Sequence, residues 1–313
     1  MARVNVTRLE PRRIGGRTFD FANRTAIMAV VNRTPDSFYD NGATFALETA
    51  VRACESAAEA GADWVDVGGV PFSPDTPEVS VTEEIDRVVP VVEAIAANTD
   101  VVISVDTFRA EVARAAIEAG AGVINDVTGL RFAGGDAAGT GDMAGVVAGS
   151  AAAIVLAHSA GKPHRHLRRP TYADVVTEIV DFLRDRVSYA NSRGIPDERI
   201  IVDAGHDLNK NTYHSLEITR RLDEITALGL PTLAALSNKD FVGETLDRPQ
   251  GERMFGSLAA AVLCVERGAR ILRVHNVAET RDVVRMTESV LGLREPAYTR
   301  HNIDPDFEPN SHV

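Results

Sequence analysis

Three acceptor side chains stand directly after short apolar runs of the sequence. They are Asp106, Asn125 and Asp203. A carboxylate can accept two N–H bonds from the 2-amino edge of a pyrimidine-type ring, and an amide can both donate and accept. Together the three would suit a flat heterocycle with several N–H and C=O groups. Taken singly, each could be a structural polar group, and Asp106, which precedes Thr107, could be the N-cap of a helix.

A second group of polar residues is cationic and follows the last two apolar runs. It consists of Lys239, Arg273 and His275. A point charge, a planar guanidinium and an imidazole suit a diphosphate. The chain has 33 Lys and Arg against 45 Asp and Glu, a net charge of −12, so a local group of cations is informative. The alternative is a salt-bridge network with Asp240 or Glu244.

Two further residues complete the candidate set. Ser237 lies close before Lys239 and has no adjacent base and no Gly-x-Ser-x-Gly turn, so we expect it to bind substrate rather than to act as a nucleophile. Asn32 follows the first apolar run, and with Asp36 nearby it could hold an oxygen-ligated Mg²⁺ that bridges the diphosphate.

Eight short apolar runs, each followed by a longer segment, must position these residues. They are near-continuously apolar, as strands buried on both faces are, and comprise Ile27–Val31, Trp64–Val67, Val101–Val105, Gly122–Ile124, Ala153–Leu156, Ile200–Val202, Thr232–Ala235 and Ile271–Val274. Eight βα units in about 270 residues predict an α/β protein with a (β/α)8 TIM barrel. Chemistry in that fold gathers at the carboxyl ends of the strands. An open, doubly wound sheet is the alternative, but it would need a glycine-rich first turn.

Helices and flanking segments are also predicted. Glycine follows each of five helical segments, Ala46–Ala60, Ala110–Ala119, Thr171–Arg193, Tyr213–Leu228 and Gly251–Arg267. A β-hairpin built from Val4–Leu9 and Arg17–Phe21, with the Gly15-Gly16 step between them, is expected before the barrel. The predicted organisation is an N-terminal extension over 1–25, a barrel over 26–292 and a polar tail over 293–313.

Charge and composition exclude several classes of function. The net charge of −12 argues against binding to nucleic acid or to acidic membranes. The longest nearly apolar run, Ala144–Ala157, is too short to span a bilayer, and the basic N-terminus lacks the apolar core of a secretory signal. Two cysteines, Cys54 and Cys264, are expected to be buried thiols of a cytoplasmic protein.

At these strand ends the sequence resembles the dihydropteroate synthase family over about residues 25–292. The matching segments are Ile27–Gly42, Gly61–Gly69, Ile103–Thr107, Ile124–Val127 and Arg273–Val277. The resemblance implies a pterin-binding TIM barrel that joins 6-hydroxymethyl-7,8-dihydropterin diphosphate to p-aminobenzoate and releases diphosphate, in folate biosynthesis. It also implies a homodimer.

The resemblance implies roles for the candidate residues as well. Asp106, Asn125 and Asp203 would hold the pterin, with Lys239 at its edge, Arg273 and His275 would bind the diphosphate, and Asn32 would ligate Mg²⁺. Ser237 is counted among the substrate-binding residues. Lys239, Arg273 and His275 would be the catalytic residues, because cations offset the charge that grows on a departing diphosphate.

The sequence departs from the family in three loops. Gly68–Asp75 lacks the Thr and Arg of the family's Gly-Gly-Glu-Ser-Thr-Arg-Pro-Gly. Asp203–Lys210 replaces Asp-Pro-Gly-Ile-Gly-Phe-Gly-Lys, and Ser237–Asp240 replaces Ser-Arg-Lys-Ser. Arg33 also stands where the family has a small apolar residue. The chain resembles a diverged second paralogue, and three functions stay open: a synthase with p-aminobenzoate or an altered amine acceptor, a pterin-binding protein without activity, and a pterin-dependent methyltransferase.

Overall fold

An antiparallel hairpin precedes the barrel in the computed structural model of the chain. The structure describes residues 9–32, 42–70, 79–132, 142–161 and 167–302, with only the backbone of 32 and 42–46. The hairpin strands are β1 (Arg12–Ile14) and β2 (Arg17–Phe19), joined through Gly15-Gly16. The predicted hairpin is confirmed, but its first strand is Arg12–Ile14 and not Val4–Leu9, because a two-residue turn pairs the residues next to it. Residues 4–8 lie outside the described residues.

The hairpin closes the amino-terminal end of the barrel. Phe19 packs edge-to-face on the buried Trp64, with ring centroids 5.4 Å apart. Gly122 lies so close to the turn that a Cβ there would come within 2.5 Å of the Gly15 Cα. Arg12, itself buried, donates to the Ile200 carbonyl oxygen at 3.2 Å. Within the described residues, the hairpin therefore covers this end of the barrel and leaves the opposite mouth as the place to look for a ligand.

Parallel strands form the closed barrel, and the predicted fold is confirmed. The strands are β3 (Ala26–Asn32), β4 (Trp64–Gly68), β5 (Val102–Asp106), β6 (Val123–Asp126), β7 (Ala153–Ala157), β8 (Ile200–Asp203), β9 (Thr232–Ala235) and β10 (Ile271–Val274). Each pairs in parallel with the next, and β10 closes the ring on β3. Every predicted apolar run falls on one strand.

Helices cover the outside of the barrel. They are α1 (Gly42–Ala60), α2 (Val81–Asn98), α3 (Ala110–Ala119), α4 (Met143–Ala148), α5 (Val175–Ser192), α6 (Thr212–Arg220), α7 (Leu222–Thr226), α8 (Asp240–Leu246), α9 (Met254–Glu266) and α10 (Val277–Val290), with a 3₁₀ turn at Asp197–Arg199. Among the described residues, no helix is long and apolar enough to cross a bilayer.

One predicted helix is wrong in its extent. The segment Tyr213–Leu228 is two helices that break at Arg221, whose φ and ψ of −116° and 28° leave the helical region. At this break the Arg221 side chain pairs with the distant Asp174 at 2.8 Å and with the neighbouring Glu224 at 2.6 Å. The division into segments 1–25, 26–292 and 293–313 stays a prediction, since residues 303–313 lie outside the described residues.

Candidate active site

The register of the barrel brings the predicted substrate-binding residues to one mouth. Asp106 at the end of β5 pairs with Asn125 on β6, and Ala157 on β7 pairs with Asp203 on β8. A single cavity of about 420 Å³ is lined by all the predicted substrate-binding residues, Asp106, Asn125, Asp203, Ser237, Lys239, Arg273 and His275. This volume lies in the range of small-molecule sites.

Asn32, the predicted metal ligand, ends β3 at the same mouth. Its backbone pairs with Gly68 on β4. The Asn32 side chain and the whole of Asp36 lie outside the described residues. Among the residues that are described, no cluster of three or more His, Cys, Asp or Glu could hold a metal ion. The magnesium site therefore stays a prediction.

Asp66, on β4, connects the two predicted halves of the site. Its carboxylate is fully buried and accepts from Ser104 Oγ at 2.6 Å, Asn125 Nδ2 at 3.1 Å and Arg273 Nε at 2.6 Å. Because the amide nitrogen of Asn125 is held by Asp66, its Oδ1 is the atom that can accept from a ligand N–H. One buried carboxylate thus orients both the amide predicted to accept from the heterocycle and the arginine predicted to bind the diphosphate.

Arg273 does not belong to a separate cationic group. Besides Asp66, it contacts Asp106, with Nη2 and Oδ2 3.3 Å apart. Burial alone would lower the pKa of Arg273, but these two carboxylates outweigh that effect and raise it. The two alternative partners considered from the sequence are engaged elsewhere: Asp240 pairs with Arg253 at 2.8 Å, and Glu244 accepts from Thr212 Oγ1.

Asp106 lies over the cavity and is not a helix cap, because α3 begins at Ala110 and Arg109 occupies its N-cap position. Burial raises the pKa of Asp106 to about 7, and repulsion from Asp66 and Glu84 adds to the increase, whereas Arg273 opposes it. Near neutral pH this carboxyl is therefore divided between a form that donates a hydrogen bond and a form that only accepts.

Asp203 is positioned by a tight turn after β8. Its Oδ1 accepts from the Gly205 N–H at 2.7 Å. Gly205 has a φ of 67°, and a Cβ on it would come within 2.0 Å of the His158 carbonyl oxygen, so glycine is required here. Burial raises the pKa of Asp203, while Lys239 and Lys210 oppose the increase.

Lys210, which also follows this strand, has a structural role. It is buried, and its Nζ donates to the carbonyl oxygens of His158, Gly205 and Leu208 at 3.0, 2.8 and 3.2 Å. Burial lowers the pKa of Lys210 to about 7. These three bonds use the three protons of the ammonium and hold the loop in place.

Lys239 and His275 line the cavity on the β9 and β10 side. Burial lowers the pKa of Lys239, and the nearby Asp207 is the strongest opposing influence. His275 is exposed, and its Nδ1 lies 3.0 Å from Ser237 Oγ, which also accepts from the His275 backbone N–H at 3.2 Å. Partial desolvation of the imidazole where it lines the cavity, together with the charges of Arg273 and Lys239, lowers the pKa of His275. Ser237 therefore orients the imidazole.

Asp66 and Glu84 are site residues that the sequence did not identify. A lone carboxylate inside the apolar strand Trp64–Gly68 is a signal that could have revealed Asp66. Glu84, buried in the first turn of α2, accepts from Thr107 Oγ1 and from Arg109 Nη1, both at 2.7 Å, and lines the cavity. Nothing in the local pattern distinguishes Glu84 from an ordinary helix-surface glutamate.

Comparison with known proteins assigns this geometry to a family. The family model described as pterin binding enzyme matches residues 28–275, which span the barrel from β3 to the end of β10. The chain belongs to this family. The match begins and ends on the two strands that close the barrel, so it includes every strand of the barrel and the whole cavity.

Named relatives show which members of the pterin-binding enzyme family this chain is similar to. The chain is 45% identical over 284 residues to the inactive dihydropteroate synthase 2 of Mycobacterium leprae, covering 89% of this chain and 94% of the relative. It is 38% identical over 269 residues to the dihydropteroate synthase of Escherichia coli, covering 86% and 93%. The Xanthomonas albilineans dihydropteroate synthase structure with 4-aminobenzoic acid superposes with a TM-score of 0.81 at 39% identity, covering 90% and 97%. The predicted resemblance is confirmed.

Proposed function

We propose that the chain is a dihydropteroate synthase-type transferase of folate biosynthesis. It joins 6-hydroxymethyl-7,8-dihydropterin diphosphate to an arylamine, either p-aminobenzoate or an altered acceptor, and releases diphosphate. The observation that carries this proposal is that acceptors for a pterin and cations for a diphosphate line one cavity. A solved Xanthomonas albilineans relative, 38% identical, holds 7,8-dihydropteroate, which supports the same chemistry here.

The pterin end of the substrate is bound by acceptors. Asp203 and the Oδ1 of Asn125 accept from the N–H groups of the ring, and Asp106 donates or accepts according to its protonation. Both Asn125 and Asp203 are buried, so a ligand without matching donors would leave their oxygens unpaired. That penalty makes the site selective for the pterin edge.

The diphosphate end leaves as the arylamine attacks. The amine nitrogen forms a bond to the pterin methylene, the C–O bond to the diphosphate breaks, and the amine loses a proton. Arg273, His275 and Lys239 offset the negative charge that develops on the leaving group. Arg273 is already held by Asp66 at 2.6 Å, so the guanidinium is oriented before substrate arrives.

Magnesium is part of the proposal. Mg²⁺ usually binds through one or two protein oxygens and the phosphate oxygens of a substrate, and it keeps several waters. A single amide ligand, Asn32 at the end of β3, fits that mode, since the nearby carboxylates Asp66 and Asp106 are engaged by Arg273. When bound, the ion would neutralise diphosphate charge.

A homodimer in the cytoplasm is the proposed state of the protein. Helix α9 is apolar around most of its surface, and Phe255 and Leu263 on it are 79% and 48% exposed. Apolar side chains presented in this way on one helix are typical of an interface. Both cysteines, Cys54 and Cys264, are buried thiols, which suits a reducing compartment.

A pterin-binding protein without synthase activity is the second candidate. The observation that favours it is the 45% identity, over 89% of this chain, to a relative named inactive dihydropteroate synthase 2. The relatives reported above are synthases or an inactive synthase, so we do not propose methyl transfer.

Calorimetry followed by a turnover assay separates the two candidates. We expect the protein to bind 6-hydroxymethyl-7,8-dihydropterin diphosphate in the presence of Mg²⁺, and to release diphosphate when an arylamine is added. Binding without turnover of any arylamine would support the second candidate. Absence of binding would contradict both.

A further inference from the structure

Ser237 and His275 form a hydrogen-bonded pair at the wall of the cavity. Both residues line it, Ser237 shortly after the end of β9 and His275 directly after β10. Ser237 Oγ accepts from the His275 backbone N–H at 3.2 Å and lies 3.0 Å from Nδ1 of the ring. One hydroxyl therefore contacts both the backbone and the imidazole of the same histidine.

The hydroxyl proton of Ser237 bears on which ring nitrogen of His275 is protonated. A serine hydroxyl has one proton to donate and two lone pairs that accept. The backbone N–H of His275 uses one lone pair, and Ser237 Oγ makes no hydrogen bond to the described residues beyond its two contacts with His275. The hydroxyl proton therefore has Nδ1 as its acceptor, and a nitrogen that accepts carries no proton.

Nε2 is then the donor of the ring. Partial desolvation and the charges of Arg273 and Lys239 lower the pKa of His275, so the imidazole is neutral near neutral pH and holds a single proton. With Nδ1 accepting from Ser237, that proton is on Nε2. The His275 side chain is exposed and lines the cavity, and Nε2 makes no hydrogen bond to the described residues, so its N–H is available to a ligand oxygen.

We propose that Ser237 is a positioning residue that sets the tautomer of His275, so that the Nε2–H donates to an oxygen of the diphosphate. This inference rests on the proposed function and deepens it. Ser237 acts through His275 and does not contact the substrate, which differs from the direct contact expected from the sequence. His275 binds the diphosphate as a neutral hydrogen-bond donor, whereas Arg273 supplies positive charge.

The opposite tautomer has different consequences. If Nδ1 carried the proton, it would donate to Ser237 Oγ, and the hydroxyl proton would be left for a direct contact with the ligand. Nε2 would then be an acceptor, and its lone pair would repel the oxygens of a diphosphate. The two arrangements therefore differ in the protonation of the ring and in what a Ser237 substitution does.

The tautomer is measured by NMR on the full chain labelled with ¹⁵N at its eight histidines. Long-range ¹H–¹⁵N correlation distinguishes a ring protonated on Nε2 from one protonated on Nδ1, and the signals that disappear in His275→Gln belong to His275. We expect the Nε2–H tautomer in the natural protein and in Ser237→Thr, which keeps the hydroxyl. Ser237→Ala should give a mixture of both tautomers.

Calorimetry with inorganic diphosphate and Mg²⁺ tests whether Ser237 acts through the ring. We expect Ser237→Ala to weaken binding about fivefold, the effect of one net hydrogen bond, and Ser237→Thr to bind as the natural protein does. His275→Gln presents an amide N–H in place of Nε2–H and has no tautomer to set, so its affinity should stay within about threefold of the natural protein's. In that background Ser237→Ala should change the affinity by less than about twofold, because effects that act through one residue are not additive.

Ser257 provides the matched control. Its Oγ also accepts from a backbone N–H, that of Asn238 at 3.0 Å, and it donates to the Arg253 carbonyl oxygen at 2.8 Å. Ser257→Ala should lower the free energy of unfolding and leave the His275 tautomer and the diphosphate affinity unchanged. Affinity for 6-hydroxymethyl-7,8-dihydropterin alone should be the same in Ser237→Ala as in the natural protein, because the pterin does not depend on His275.

The results that would overturn the inference are separate from those that would overturn the proposed function. An Nδ1–H ring in the natural protein, or an Nε2–H ring that persists unchanged in Ser237→Ala, would contradict the role of Ser237, and both are measured without any ligand. A loss of affinity in Ser237→Ala that persists in the His275→Gln background would mean that Ser237 contacts the diphosphate directly. If the natural protein binds neither the pterin nor diphosphate, the proposed function fails, and the assignment of the diphosphate to Nε2–H fails with it.

Discussion

At the scale of single residues, Asp203 is the acceptor on which pterin binding should depend most. It is buried, and its position is fixed by the Gly205 N–H. We expect Asp203→Ala to weaken pterin binding at least about 100-fold, because a charged acceptor that takes two N–H bonds is lost. Calorimetry with dihydropterin diphosphate measures this. An affinity within about threefold of the natural protein's would remove Asp203 from the site.

Asp66 should affect both ends of the substrate without touching it. It holds Asn125 on one side and Arg273 on the other. We expect Asp66→Asn to weaken binding of 6-hydroxymethyl-7,8-dihydropterin and of inorganic diphosphate, each by about tenfold, because both partners lose a charged hydrogen-bond acceptor.

Asp63, a buried carboxylate directly before β4, provides the control for Asp66. Asp63 accepts from the Ile27 N–H at 3.0 Å and pairs with Arg24 at 2.5 Å, at the opposite end of the barrel. Asp63→Asn should lower thermal stability and leave both affinities unchanged. If Asp66→Asn lowered stability alone, its carboxylate would be structural only.

Asp106 should make pterin affinity depend on pH near neutrality. Its pKa is raised to about 7, so in the unliganded protein the carboxyl holds its proton below that value and is ionised above it. If the pterin N–H groups require the ionised form, affinity rises between pH 6 and 8 and then levels, because binding at the lower pH must first remove the proton. Titration calorimetry between pH 6 and 8 tests whether the pterin affinity rises or falls with pH. Asp106→Asn should abolish the dependence, and an affinity that falls as pH rises would assign Asp106 the role of a donor.

At the scale of elements, the loop after β8 depends on one glycine. We expect Gly205→Ala to lower the free energy of unfolding by about 3 kcal/mol or more, because a left-handed backbone and a collision with the His158 carbonyl add together. Gly251→Ala is the matched control, since its φ is 93° but a Cβ there meets nothing within 4 Å. That variant should lose only about 1 kcal/mol. Equal losses in chemical unfolding would mean that the contact with His158 is not what requires glycine.

The strands could be predicted from the sequence because their pattern is a local property. Each is buried on both faces, so each reads as an apolar run, and the polar residue that follows marks its carboxyl end. Once the barrel closes, those ends meet, and this is why Asp106, Asn125 and Asp203 could be grouped correctly. The placement of these three side chains at one cavity was therefore predictable from pattern and topology alone.

The interactions between elements were not predictable in the same way. The Arg273 ion pairs with Asp66 and Asp106 join residues 207 and 167 positions apart in the chain, and no local signal specifies such pairs. Arg221, at the break between α6 and α7, pairs with Asp174, which is also distant in sequence. Both cases show long side chains whose partners are selected by packing rather than by neighbouring residues.

At the scale of the whole molecule, the exposed face of α9 bears on assembly. Phe255 and Leu263 lie eight positions apart, about 80° around the helix axis, so both belong to one wide exposed stripe of α9. A closed two-fold dimer buries the same patch on both subunits. An exposed apolar helix face of this kind is well suited to pack against the same face of a second subunit.

The prediction is a homodimer that depends on this face. We expect the natural protein to have twice the chain mass in light scattering after size exclusion, and Phe255→Glu with Leu263→Glu to shift it to one chain mass, because four added charges would be buried in a two-fold contact. Tyr213→Glu is the control, since Tyr213 is 81% exposed at the start of α6 and is not part of the exposed α9 face. Circular dichroism must show both variants folded. A dimer that survives the double substitution would place the interface elsewhere, and a natural protein that is already monomeric would leave α9 as an ordinary surface.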